Sequence, residues 1–293
     1  MANIRDQILN KISENKTVND ICNELNISRK MLHYQLELIK NTGYCYTNTY
    51  FNDGNILLRP GYDDTNKPRI LTDDSSTLKV LALSDVHFGS ILSKPKSVEL
   101  MFEYCNNKDI HIILMCGDVI DGNFGGPKII TDFNEQIDYF VDNYPYDPNI
   151  VTFGIMGDHD TRVIKQYNYN PAFLINKQRS DVVMFNSSIG DIYMNDSLVK
   201  LCHDYKKIGA LPKTEKLILC GHNHKYRAIV KQDNTLIVVV PSLSRILNAL
   251  PSALSMNIEF DNNEFCSCNI TQLGIIDNRV FELNNIDYYV RKK

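Results

Sequence analysis

Apolar residues in the first 60 positions recur at helical spacing, whereas beyond position 77 they gather into short runs of strand length. Ile4, Ile8, Leu9 and Ile12 fall on one face of a first expected helix. Thr17 and Asp20 form an N-cap pair that opens a second helix carrying Val18, Ile21, Cys22 and Leu25. Ser28 caps a third, from Arg29 to about Asn41, which buries Leu32, Leu36 and Ile39 and stops at Gly43. Residues 44–51 and 55–59 then flank Asn52-Asp53-Gly54, the turn chemistry of a β-hairpin.

Three helices followed by a hairpin resemble a winged helix-turn-helix domain, which residues 1–60 would form. The resemblance implies a third helix in the major groove of double-stranded DNA, with Arg29, Lys30, His33 and Gln35 as contacts. Seven Lys or Arg stand against six Asp or Glu in this segment, so the basic stripe usual for duplex binding is missing. A docking or dimerisation module, which would make the protein a homo-oligomer, is therefore an equal reading.

Residues 61–77, with Gly61, Pro68 and the pairs Asp63-Asp64 and Asp73-Asp74, read as a polar linker that packs no core element. Residues 78–293 read as one α/β domain. Its strand candidates are 78–83, 110–115, 150–156, 198–202, 216–220, 236–240 and 255–260, with helical intervals at 98–106 and 133–143. Alternating strands and helices imply parallel pairing early in the domain, and the close spacing of the late strands implies mixed or antiparallel pairing.

Composition narrows the classes. The 293 residues hold 31 Lys or Arg, 35 Asp or Glu and 43% hydrophobic residues, an ordinary globular balance that excludes disorder and a global positive field. No apolar run approaches the ~18 residues of a membrane span, and residues 1–6 lack the apolar core of a signal peptide. A soluble, cytoplasmic protein is expected. Eight scattered cysteines without a C-x-x-C pair read as reduced thiols, with Cys116, Cys202 and Cys220 as small apolar residues ending strands.

The chemistry sits at strand ends. Five of the seven histidines follow a strand candidate, in Asp85-Val86-His87, Asp158-His159-Asp160, His203-Asp204 and Gly221-His222-Asn223-His224. A further strand end supplies Gly117-Asp118-Val119-Ile120-Asp121-Gly122. Ligands bind at the carboxyl ends of strands in α/β sheets, so residues as distant in sequence as His87 and His224 can converge. Imidazoles with carboxylates suit divalent ions such as Mn, Fe or Zn. His33 and His111 fall outside this pattern and read as surface or packing residues.

From about residue 78 to 244 these motifs resemble the calcineurin-like metallophosphoesterases, whose signature runs D-x-H, G-D-x-x-D, G-N-H-D/E, H and G-H-x-H. The resemblance implies a mixed β-sandwich flanked by helices in α-β-β-α layers, holding two divalent metal ions. Manganese is the expected metal, with Fe, Zn or Mg as alternatives. By motif, Asp85, His87 and His224 would hold the first ion, Asp118 would bridge, and Asp158, His203 and His222 would complete the second. His159 would face the substrate to protonate a leaving oxygen or stabilise phosphoryl charge, oriented by Asp121 through its other ring nitrogen.

One motif departs from the family. Gly157-Asp158-His159-Asp160 carries a carboxylate where the family has Asn, an added anionic ligand expected to tighten metal binding and slow turnover. Arg162 is the preferred phosphate contact, ahead of Lys206, Lys207, Lys225 and Arg227, because a guanidinium can bind phosphate bidentately. Gly125-Gly126-Pro127 lacks phosphate-loop spacing and reads as a loop beside the site. The expected substrate is a phosphate ester and the expected activity a phosphodiesterase or nuclease acting on DNA. Nucleotide or phosphoprotein hydrolysis, and a DNA-binding regulator with a degenerate site, are the alternatives.

Overall fold

Cap chemistry sets the first helices, α1 (Ile4–Ser13), α2 (Val18–Leu25) and α3 (Arg29–Lys40). Asp20 N–H donates to Thr17 Oγ1 at 3.2 Å while Thr17 N–H donates to Asp20 Oδ2 at 3.0 Å, a closed capping box at the start of α2. Asn26, in the left-handed conformation, ends that helix. The hairpin strands β1 (Tyr46–Phe51) and β2 (Ile56–Pro60) pair antiparallel as the turn sequence requires. This computed structural model describes residues 4–40, 44, 46–60, 67–72, 76–122, 126–210, 215–230, 234–245 and 250–289, excepting the side chains of 208–210. The expected features at Gly43, Asp63-Asp64, Asp73-Asp74 and Gly125 lie outside those residues.

The chain continues through β3 (Arg69–Leu71), β4 (Thr77–Leu83), α4 (Pro95–Lys108), β5 (Ile112–Met115), α5 (Phe133–Asn143) and β6 (Val151–Gly154). Then come α6 (Asp158–Tyr167), α7 (Pro171–Gln178), β7 (Val182–Met184), β8 (Ile189–Met194), β9 (Ser197–Cys202), β10 (Leu217–Cys220) and β11 (Arg227–Val230). The last strands are β12 (Leu236–Val239), β13 (Ser252–Asp261), β14 (Glu264–Ile276) and β15 (Arg279–Tyr289). Among the described residues they form a seven-stranded sheet, β15-β14-β13-β4-β5-β6-β7, and an eight-stranded one, β11-β12-β10-β9-β8-β3-β1-β2. No described helix is long and apolar enough to cross a membrane.

Strand alternation divides the core into layers. Leu78, Val80, Ala82, Ile112 and Leu114 of the first sheet meet Val199, Leu201, Leu217, Leu219 and Val238 of the second. The intervening Leu81, Leu83, Ile113 and Met115 turn outward and are covered by apolar residues of α4 to α7, including Met101, Phe140, Val163 and Ile175. The mixed α/β sandwich expected from the sequence is thus present. Cys116, Cys202 and Cys220 are buried in it.

The segment 61–77 differs from the expected linker. Arg69–Leu71 is strand β3, wedged between β1 and β8 in parallel register (Tyr50 with Ile70, Ile70 with Met194), and Ile70 is fully buried. Three residues are too short to register as an apolar run, and the backbone demand of two flanking strands decides their conformation. The hairpin is thereby built into the eight-stranded sheet. The Tyr50 ring meets Phe153 edge-on at 4.8 Å, and one continuous core runs from Ile8, Ile12 and Ile21 to Leu219 and Met256.

Candidate metal centre

The parallel strands β4, β5 and β6 of one sheet and β9 and β10 of the other end at a common edge, where their following loops bond to one another. Asp85 N–H donates to Gly117 O at 3.0 Å, His87 N–H to Asp118 O at 3.0 Å, and His222 N–H to Asp85 Oδ2 at 3.2 Å. Asp85, His87, Asp118, His222 and His224 all have positive φ, between 49° and 67°. That conformation is unfavourable for L-residues, though Asp and His tolerate it better than most, and here the loop hydrogen bonds enforce it. Gly117, at φ +93°, lies against Gly157, where a Cβ would stand 2.0 Å from Asp118 Oδ1. Only glycine lets the β6 end approach that carboxylate.

Among the described residues the side chains assemble into three groups, the first two sharing His87: Asp85, His87 and His224; His87, Asp121 and His159; and Asp118, His203 and His222. In each, the ligand atoms lie within 4.8 Å of one another. Asp118 Oδ2 stands 3.2 Å from His203 Nε2 and 3.8 Å from His87 Nε2, between the first and third groups. Asp85 Oδ1 lies 3.2 Å from His224 Nε2. Asp158 stands at the rim, partly exposed, with Oδ2 3.7 Å from His222 Nδ1 and Oδ1 3.7 Å from Lys207 Nζ.

Asp85 Oδ1, both ring nitrogens of His87 and Nε2 of His203 are buried without a hydrogen bond. Orphaned polar atoms are costly in a protein interior, and lone pairs converging in this way fit divalent cations of the kind His/Asp sets bind. His203 Nδ1 lies 2.7 Å from the Cys116 carbonyl, so once the ring is neutral the remaining proton sits on Nδ1 and Nε2 is left for a ligand. Burial disfavours charge on His203, but the Asp118 carboxylate outweighs it and, with Asp85 beyond, lifts its pKa to about 10. Asp118 resists burial in turn and is held well below the usual carboxylate range, chiefly by His203.

One expected contact forms through a different atom. His159 Nδ1 is 2.6 Å from the backbone carbonyl of Asp121, whereas the Asp121 carboxylate is 3.9 Å away. That carboxylate instead pairs with Lys128 Nζ at 2.9 Å, both side chains being buried. The carbonyl, fixed by the loop, is the nearer acceptor. Arg162 lies exposed on α6, one turn beyond Asp158, outside the three groups.

The N-terminal candidates divide. Arg29 is engaged by Asn19 Oδ1 at 2.6 Å, and with His33 it lines a cavity of about 390 Å³ between α3, the hairpin and α7. Lys30 is exposed and Gln35 half-buried.

Asp160 had no assigned role in the sequence reading. Its buried carboxylate accepts the backbone N–H groups of Val119 at 3.1 Å, Ile120 at 3.0 Å and Gly157 at 2.7 Å, clamping the loop after β5 to the start of α6. Its position three residues after Gly157 is capping-box spacing, a signal already present in the motif. Lys128 carries no comparable signal.

A two-sheet α/β sandwich with histidine and carboxylate clusters at its strand ends defines the class of metal-dependent hydrolases. Residues 78–240 match the calcineurin-like phosphoesterase family, and the chain belongs to it, a metal-dependent phosphoesterase. Among curated proteins no sequence matches. Solved structures with a similar fold include Vps29 of Chaetomium thermophilum, 11% identical, TM-score 0.43, over 73% of this chain and 97% of that one. Others are GAP50, the anchor in the inner membrane complex of Plasmodium (10%, TM-score 0.45, over 75% and 90% of the two chains), and a dimetal phosphatase from Danio rerio (8%, 0.44, over 73% and 99%).

Proposed function

We propose that the chain hydrolyses phosphodiesters, with DNA as substrate, using two divalent cations held at this strand-end site. The reading is carried by one observation: Asp118 Oδ2 lies between His87 Nε2 and His203 Nε2, each in its own ligand group. When bound, two such cations supply a hydroxide nucleophile at neutral pH and offset phosphoryl charge. Asp85, His87 and His224 would hold one, Asp158, His203 and His222 the other, with Asp118 shared. His159, its Nδ1 occupied by the Asp121 carbonyl, presents Nε2 to protonate the leaving oxygen. Asp121 acts through that carbonyl, and Arg162 binds the phosphate.

Manganese is the expected ion. A winged-helix role for residues 1–60 rests on the three helices and hairpin, and duplex contact would run through Lys30 and Gln35. The test is hydrolysis of bis-p-nitrophenyl phosphate and p-nitrophenyl phosphate with added manganese. Diester turnover that Asp118→Ala and His159→Ala both abolish is the expected result. Monoester turnover alone would redirect the reading to nucleotides or phosphoproteins, and no turnover with any divalent ion would sink it.

A further inference from the structure

The chain carries a formal net charge of −4, yet residues 161–179 contain Arg162, Lys165, Lys177 and Arg179 and no acidic residue. Arg179 is spent internally on Asp181 and backbone carbonyls, but Arg162, Lys165 and Lys177 are surface residues. The same stretch exposes three aromatic rings: Tyr167 at 41%, Tyr169 at 48% and Phe173 at 61%. Phe133, nearly buried, is the support beneath two of them, stacked on Tyr167 at 4.6 Å and tilted against Tyr169 at 5.3 Å. Clustered exposed rings of this kind mark an interaction surface.

The placement links this surface to the metal centre. Asp158, Arg162 and Lys165 follow one another at helical neighbour spacing along α6, and Tyr169 lies just past the left-handed cap residue Asn168, against Phe133. Asp158 is the residue beside His222, and exposed Lys207 stands 3.7 Å from it on the opposite wall. From Asp158 to Tyr167, the last residue of α6, the helix rises about 14 Å, a few nucleotides of extended strand. Cations spaced beside exposed ring faces are the chemistry that holds unpaired bases and their phosphates, whereas a duplex hides its base faces.

We propose that the α6–α7 face is a platform for single-stranded nucleic acid, on which Tyr167 and Tyr169 stack bases while Arg162 and Lys165 follow the phosphates into the metal centre. The inference rests on the phosphodiesterase reading and specifies the form in which the substrate arrives.

Fluorescence anisotropy of a labelled oligothymidylate and of a duplex, with the full chain in chelator to prevent cleavage, tests it. Stacking is worth enough per base that Tyr167→Ala with Tyr169→Ala should weaken single-strand binding by about tenfold or more. Tyr167→Phe with Tyr169→Phe should restore it, and Arg162→Ala should flatten its salt dependence. Circular dichroism melting of each variant separates lost binding from lost fold. Single-strand affinity unchanged in the folded alanine double variant overturns the proposal. Wild-type turnover of bis-p-nitrophenyl phosphate reports the phosphodiesterase reading separately, so the two can fail independently.

Discussion

His203 Nε2 faces Asp118 Oδ2 across 3.2 Å, and the contact would make metal loading at the proposed site a proton-releasing event. Without a cation between them the imidazole stays charged, its pKa raised from 6.5 to about 10. The histidine's share of the pair's contribution to the stability of the metal-free fold is complete below 6.5 and is lost as pH rises through about 10, while the Asp118 share is lost in acid, below the ordinary carboxylate value of 3.8. Coordination needs the neutral ring, so loading at about pH 7.5 should release about one proton from this residue. Titration calorimetry in buffers of unlike ionisation enthalpy measures it, and apparent metal affinity should weaken about tenfold for each pH unit of acidification. Affinity independent of pH would contradict the assignment.

Asp160 holds three backbone donors, so its removal should be felt as lost stability before lost chemistry. Asp160→Ala strands the N–H groups of Val119, Ile120 and Gly157 in the interior. At about 1–3 kcal/mol for each unsatisfied group, the loss should exceed about 3 kcal/mol in urea unfolding at unchanged m-value. A loss below about 1 kcal/mol would mean that water reaches those donors.

Gly157→Ala places a methyl group 2.0 Å from Asp118 Oδ1 and 2.3 Å from the Asp118 backbone nitrogen. The β5 and β6 loops must then separate, moving the carboxylate that both metal sites would share. Competition against a chromogenic chelator should show the two ions bound at least about tenfold more weakly, with diester turnover near background, as misplacement of about 1 Å suffices for such losses.

Asp158→Asn restores an amide where this chain carries a carboxylate. With one anionic ligand fewer, the second ion should bind roughly tenfold more weakly, and turnover at saturating manganese should rise because the cation stays more electrophilic. Equal affinity for both proteins would place Asp158 outside the coordination sphere and leave it as the partner of Lys207.

The helical triplet should not be separable from the sandwich. A chain beginning at residue 61 loses both β1 and β2, baring the β3 edge and the core beneath Tyr50 and Leu58. Such a chain should aggregate or lack a cooperative thermal transition. A cooperative melt near that of the full chain would show instead that residues 1–60 are an appendage.

Much of this architecture was legible because its signals are local and redundant. The Thr17 cap, the Asn52-Asp53-Gly54 turn and the apolar runs of β4, β5, β9, β10 and β12 mark their elements within one or two residues. The seven proposed ligands stood out because each lies beside a strand end in a short polar motif. Strands β7, β8, β11, β14 and β15 carry no such signal: β7 and β11 span only three and four residues, β15 is almost wholly exposed, and β8 and β14 interleave Gly, Asp, Ser and Asn with their apolar positions. Helices α6 and α7 were masked by the motif residues and tyrosines that occupy them. The Lys128–Asp121 pair and the His159 carbonyl contact arise from loop packing that no spacing encodes.

Strand β3 joins the hairpin to β8 through pairs such as Ile70 with Met194. During synthesis, the strands made first must therefore wait for more than a hundred further residues before their sheet can close. Contacts so distant in sequence slow folding and leave unpaired edges exposed meanwhile. Residues 1–60, whose apolar faces belong to a core completed only by later strands, would meanwhile present an open strand edge, the point most vulnerable to aggregation on the ribosome.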